Sequence, residues 1–112
     1  MNLVLFGPPG AGKGTQADFI VKAFNHHKIS TGDLLRNEIE KKTVIGDEIK
    51  SLIEKGSFVS DNIINNLINK TLSNKKLFNR LVFDGYPRNL QQAKNLDKII
   101  SDHNQKISCV LS

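Results

Sequence analysis

Short runs of consecutive apolar residues alternate along this chain with longer stretches in which apolar residues recur at helical spacing. Asn2–Phe6, Leu81–Phe83 and Lys106–Leu111 predict strands buried on both faces, with a weaker strand around Lys28–Ser30. Between them, Ala17, Ile20, Val21 and Phe24 make one amphipathic stripe, and Ile45, Ile49, Leu52 and Ile53 a second. Ile63, Ile64, Leu67, Ile68 and Leu72 make a third, and Ala93, Leu96, Ile99 and Ile100 a fourth. Strands alternating with helices imply βαβ units, hence an α/β fold with a parallel sheet.

Breakers sharpen the boundaries: Gly46 before the second helical pattern, Gly56 after it, and Pro87 beyond the strand at Leu81–Phe83. Ser30, Thr31, Gly32 and Asp33 read as a helix start, with Thr31 as the cap and Asp33 complementing the dipole. Thr31 to Val59 holds helical patterns with no strong strand between them, which predicts a helical excursion beside the sheet, able to move as a lid. No helix follows the strand Lys106–Leu111 to cover its second face, so the expectation is the N-terminal part of a larger domain.

The first strand runs into Gly7 to Thr15, G-P-P-G-A-G-K-G-T, and then into the first helix. Gly7, Gly10, Gly12 and Gly14 carry no Cβ, so several backbone N–H groups can turn inward on a phosphate, and the unpaired N–H groups at the helix start add to the same anion site. Lys13 stands in that positive field, where a cation is disfavoured by about 0.3–1 kcal/mol unless an anion is near. The general phosphate-loop pattern has Ser or Thr directly after the lysine; here Gly14 takes that place and Thr15 follows it.

Asp84 ends the strand at Leu81–Phe83, at the carboxyl edge where α/β sheets collect ligands. It suits a Mg²⁺ ion, held directly or through water, and equally a turn-capping role beside Gly85. Arg88, after the stiff Pro87, offers a planar fork for phosphate oxygens, or is an ordinary surface arginine. Asn89 and Gln92 stand at the spacing of a helix cap and its reciprocal partner, and on the residues alone the cap is the favoured role for Gln92. Arg36, near a helix start, is again easier to understand beside an anionic ligand.

Composition changes this picture little. The chain has 112 residues, 38% of them hydrophobic, enough for one domain with a modest core. The formal net charge of +5 admits a nucleic-acid partner, yet the lysines are scattered and aromatics are only 6%, so no stacking platform is apparent and none is expected. Cys109, the single cysteine, excludes an internal disulfide and reads as a packing thiol in its strand. His26, His27 and His103 lack zinc-ligand spacing, and no Ser or Cys nucleophile arrangement is present. No apolar run is long enough for a membrane span or a signal-peptide core, so a soluble, cytoplasmic protein is expected.

Three segments in order, G-P-P-G-A-G-K-G-T-Q at 7–16, S-T-G-D-L-L-R at 30–36 and D-G-Y-P-R-N-L-Q-Q-A at 84–93, closely resemble adenylate kinase, and the likeness runs the whole length of the chain. Gly14-Thr15 is that family's usual form. The resemblance implies a P-loop α/β fold with core at 1–29 and 60–112, an AMP-binding lid at 30–59, and Mg²⁺-dependent transfer from ATP to AMP giving two ADP, in a full-length monomer. It implies that Gly10, Ala11, Gly12, Lys13, Gly14 and Thr15 bind the ATP phosphates, that Lys13 bridges the transferred group, and that Asp84, with Thr15, attends Mg²⁺. By the same likeness Thr31, Arg36, Ser57, Phe58, Val59, Gly85, Tyr86, Pro87, Arg88 and Gln92 serve AMP, with Arg88 also catalytic and Gln92 reading adenine. Tyr86 stands where the family usually has Phe. Nothing here corresponds to the family's ATP lid or last strand, so little activity is expected of this chain alone. The rival readings are a UMP or CMP kinase and a non-catalytic nucleotide-binding fragment.

Overall fold

The computed structural model describes residues 1–6 and 13–111 and has the expected α/β architecture. In chain order the elements are β1 (Asn2–Phe6), α1 (Lys13–Phe24), β2 (His27–Ser30), α2 (Thr31–Glu40), α3 (Val44–Glu54) and α4 (Asp61–Leu72). A short 3-10 turn (Lys75–Leu77), β3 (Leu81–Asp84), α5 (Leu90–Asp102) and β4 (Ile107–Leu111) complete it. The strands form one parallel sheet in the order β2-β3-β1-β4.

Continuous apolar runs make β1 and β3 because both faces of the sheet are covered there, and alternate residues serve opposite faces. Leu3, Leu5 and Val82 pack with Ala17 and Ile20 of α1 on one face. Val4, Ile29, Leu81 and Phe83 pack on the other with Ile68 and Leu72 of α4 and Leu96, Ile99 and Ile100 of α5. Two residues of the sequence stripes are exposed: Phe24 at 61% and Ile53 at 52%. Cys109 stands opposite Val4 in the β1–β4 register; its side chain lies outside the described residues.

The amino ends of the strands are stitched by side-chain amides. Asn2 is fully buried; its Nδ2 donates to Gln105 Oε1 at 2.9 Å, and its Oδ1 accepts from the Leu81 N–H at 3.0 Å. Gln105 Oε1 also accepts from the Asn79 N–H at 3.1 Å, while Asn79 Oδ1 accepts from the Lys106 N–H at 3.0 Å. Sliding β1 by one residue would break this buried set and move each apolar side chain to the wrong face.

Two boundary expectations are corrected. The cap of α2 is Ser30, not Thr31: Ser30 is still extended (φ −122°, ψ 157°) as the last strand residue, and its hydroxyl accepts from the Asp33 N–H at 3.2 Å, whereas Thr31 is already helical. Gly46 does not precede a helix but sits buried in the first turn of α3, which Thr43 caps. A Cβ on Gly46 would lie 2.1 Å from the Glu38 carbonyl oxygen, so glycine is what lets α3 lean on α2. Glu38 itself is buried, and its carboxylate accepts from Thr43 Oγ1 at 2.7 Å and from Lys70 Nζ at 2.9 Å. The α2–α3 corner is thereby tied to α4. Residues 31–59 hold α2 and α3 and no strand.

Among the described residues no helix is long and apolar enough to cross a membrane.

Gly46→Ala is expected to destabilise the fold by about 1–3 kcal/mol, since the Cβ meets backbone that cannot yield like a flexible side chain. Urea unfolding checks this, and an unchanged midpoint would show that α2 and α3 do not approach so closely.

Candidate active site at the carboxyl edge of the sheet

Parallel pairing brings the ends of three strands level. Leu5 of β1 stands opposite Asp84 of β3, and Ser30 of β2 stands opposite the same Asp84. Beyond this line the chain leaves β1 for α1 on one face and β3 for α5 on the other. Connections that depart to opposite faces leave a crevice between adjacent strand ends, the usual ligand position in open α/β sheets.

Gly10, Ala11 and Gly12 of the glycine-rich segment lie outside the described residues, as does the side chain of Lys13. The backbone of Lys13 opens α1, and no acidic residue occupies that helix's first turn. Its positive end is therefore not neutralised from within the helix. Thr15, in the same turn, is exposed.

Asp84 is the last residue of β3 and half-buried, and Gly85 then turns the chain with φ 80°, in the left-handed region that suits glycine. The Gly85 carbonyl accepts from Arg88 Nε at 2.7 Å. That bond folds the exposed Arg88 back over its own turn and leaves its two Nη groups, the fork proper, without another partner among the described residues. Between them Tyr86 and Pro87 are buried, across a cis peptide bond.

Tyr86 is only 3% exposed, and its hydroxyl donates to Asn65 Oδ1 of α4 at 2.9 Å. Burial pushes its phenol up to about 12, and the charge of Asp61 adds to the shift.

Asn89 caps α5 as expected, its Oδ1 accepting from the Gln92 N–H at 2.8 Å. The reciprocal half of that cap does not form. Gln92 Oε1 instead accepts from the Arg88 N–H at 2.8 Å, and Gln92 Nε2 donates to Asp61 Oδ1 at 3.1 Å. Asp61 and Asn65 stand four apart on α4 and both face this turn, a pairing the sequence reading passed over. Its only trace there was two polar residues at helical spacing flanking the apolar stripe of Ile64 and Ile68.

The excursion residues are less closely joined. Thr31 follows Ser30 directly and so begins at the carboxyl edge. Arg36 donates to Asp33 Oδ1; that contact, opposed by burial and helped by the Ser30 hydroxyl, holds the Asp33 carboxyl below the usual carboxylate range. Both side chains are largely solvated, so the pair contributes only about 0.2–1 kcal/mol. Arg36 lines an open hollow of about 330 Å³ with Lys28 and Asn37. Ser57 and Phe58 are exposed, Phe58 at 97%, and Val59 is half-buried. Among the described residues no hydrogen bond joins 57–59 to Gly85, Arg88 or Gln92; the link from this side is Asp61.

A parallel sheet whose first strand leads through a glycine-rich loop into a helix, with an acid ending the adjacent strand, defines a P-loop class α/β protein. The family model described as adenylate kinase matches residues 5–112, and the chain belongs to the adenylate kinase family. It is similar to the adenylate kinase of Pelagibacter ubique, with 54% identity over 96% of this chain and 50% of that protein. It is also similar to those of Methanocella arvoryzae (46% identity, 100% of this chain, 52% of that protein) and Fusobacterium nucleatum (46%, 100% and 53%). The chain spans about half the length of the curated relatives it matches.

The chain holds one Tyr and no Trp, so near-ultraviolet tyrosinate absorbance reports Tyr86 alone. Its folded-state pKa is raised, so its contribution to stability is intact below the unfolded value of about 10 and is lost as pH rises from there through about 12. Absorbance titration should give a midpoint near about 12 in the folded protein, and Tyr86→Phe should remove this part of the alkaline destabilisation. A folded midpoint at the unfolded value would show the phenol to be solvated.

Proposed function

We propose that this chain carries the phosphate loop and monophosphate site of an enzyme that catalyses the reversible, Mg²⁺-dependent transfer ATP + AMP = 2 ADP. The observation that carries the reading is the arrival of the start of α1, Asp84 and the Gly85–Gln92 turn at one carboxyl edge, in a member of the adenylate kinase family.

In this reading Gly10 to Thr15 hold the ATP phosphates with backbone N–H groups, and Lys13 meets the transferred phosphoryl group. Asp84 fits Mg²⁺ by the chemistry of its donor set: it is a hard carboxylate at the end of β3, and Mg²⁺ is commonly held by one or two carboxylates together with substrate phosphates and water. Among the described residues no cluster of three or more His, Cys, Asp or Glu forms a protein cage, which also suits an ion shared with phosphates. When bound, Mg²⁺ would neutralise charge on the phosphates.

On the monophosphate side the Arg88 fork takes the AMP phosphate. Arg36, whose pairing with Asp33 is weak enough to exchange, joins it when α2 and α3 close. Thr31, Gly85, Tyr86, Pro87 and residues 57–59 line the nucleoside, and Gln92 reads the base. Catalysis by such a site rests on positioning and charge neutralisation, so loss of either cation should be costly.

In the full-length enzyme, ADP formation from ATP with AMP, UMP, CMP or GMP tests the substrate; preference for a base other than adenine would overturn the assignment. Adenine-nucleotide binding there without ADP formation would favour a non-catalytic binding role. Lys13→Met should leave the fold intact, with stability unchanged or slightly raised, and remove most turnover of that full-length enzyme. Arg88→Ala should weaken AMP by about 10-fold or more and ATP little, as expected for loss of a charged contact of about 1.5–3 kcal/mol. Equal losses for both nucleotides would point to misfolding or to a misplaced site.

A further inference from the structure

The side-chain amide of Gln92 is gripped at both ends by groups of opposite kind. Its Oε1 faces an N–H, that of Arg88 at 2.8 Å, and its Nε2 faces a carboxylate oxygen, Asp61 Oδ1 at 3.1 Å. A backbone N–H only donates and an ionised carboxylate only accepts, so the two neighbours assign the amide without ambiguity. Turning the amide over would set donor against donor at Arg88 and acceptor against acceptor at Asp61, losing both hydrogen bonds at once. The two ends are themselves fixed. Gln92 lies in the first turn of α5, capped by Asn89, and Asp61 begins α4, capped by Ser60.

An amide oxygen accepts two hydrogen bonds and an amide nitrogen donates two. With one of each used among the described residues, Gln92 keeps one acceptor and one donor in a fixed order. We propose that Asp61 is a positioning residue that locks the polarity of Gln92, so that the site selects a purine edge with a ring acceptor beside an exocyclic donor and rejects the reversed pattern. Adenine presents the first, N1 beside its 6-amino group. Hypoxanthine presents the second, N1–H beside O6, with nearly the same shape. This inference rests on the reading of Gln92 as the base contact.

Titration calorimetry of the protein with AMP, inosine 5′-monophosphate and ribose 5-phosphate tests it, using wild type, Asp61→Asn, Asp61→Ala and Gln92→Ala. Asp61→Asn is the most telling variant, because an amide at that position can pair with Gln92 in either orientation. It should retain thermal stability and ribose 5-phosphate affinity, yet lower the AMP-to-inosine monophosphate affinity ratio by about tenfold, the cost of roughly one hydrogen bond. Asp61→Ala should lower the ratio at least as far. A wild-type ratio in Asp61→Asn would overturn the polarity lock, as would an Asp61→Ala protein that loses all three ligands equally. If Gln92→Ala keeps the wild-type ratio, the base is read elsewhere, and the Gln92 assignment falls together with the lock.

Discussion

The parallel pairing of β1 with β3 fixes both which side chains reach each face of the sheet and where Asp84 stands. Because Leu5 lies opposite Asp84, the end of the strand that enters the glycine-rich loop is level with an acid that the next strand supplies. The same register sends Val4 and Phe83 to the α4–α5 face and Leu5 and Val82 to the α1 face, so packing and site are set by one alignment. A slip of one residue would bury the wrong face and displace Asp84 together. The alignment is held from the opposite end, where Asn2 and Gln105 join the amino ends of β1, β3 and β4 through buried amides. The buried amide contacts thus lie at one edge of the sheet and the candidate site at the other.

A second set of contacts runs between helices. Asn65 and Asp61 on α4 receive the Tyr86 hydroxyl and the Gln92 amide, so the turn after β3 is buttressed from a helix more than twenty residues earlier. On the other flank of α4, Lys70 holds the buried Glu38 of α2, and Thr43 joins the same carboxylate. Those contacts hold Glu38 below the usual carboxylate range, the Thr43 hydroxyl first and Lys70 next, with burial opposing them. Helix α4 is therefore the part against which both the fixed turn at Gly85–Gln92 and the helical excursion are referenced.

Much of this was legible in the sequence, and the parts that were not have a common cause. The strands and the apolar stripes were readable because burial on both faces demands uninterrupted apolar runs, and Asn2–Phe6 was bounded correctly. Asn89 as a cap was readable because its partner is three residues away. Gly46 was misread as a breaker because its reason for being glycine is the Glu38 carbonyl of another helix, eight residues away and invisible to local pattern. Ser30 and Thr31 both suit a cap, and only the strand's extended backbone at Ser30 decides between them. The Gln92–Asp61 pair spans 31 residues, and nothing in local spacing announces it. At the candidate site, sequence singled out the residues offering charge or backbone to a ligand and missed those that hold them in place.

In the proposed reading nucleotide binds at the carboxyl edge of the sheet, between the ends of β1 and β3. Amide resonances followed by NMR during addition of AMP and then of ATP with Mg²⁺ test it most directly. AMP should perturb residues 30–36 and 84–92, ATP should perturb 10–15, and the amino-edge amides of Asn2, Asn79 and Gln105 should stay still. Perturbation centred on that amino edge, or on the far side of α4 around Glu38 and Lys70, would contradict it.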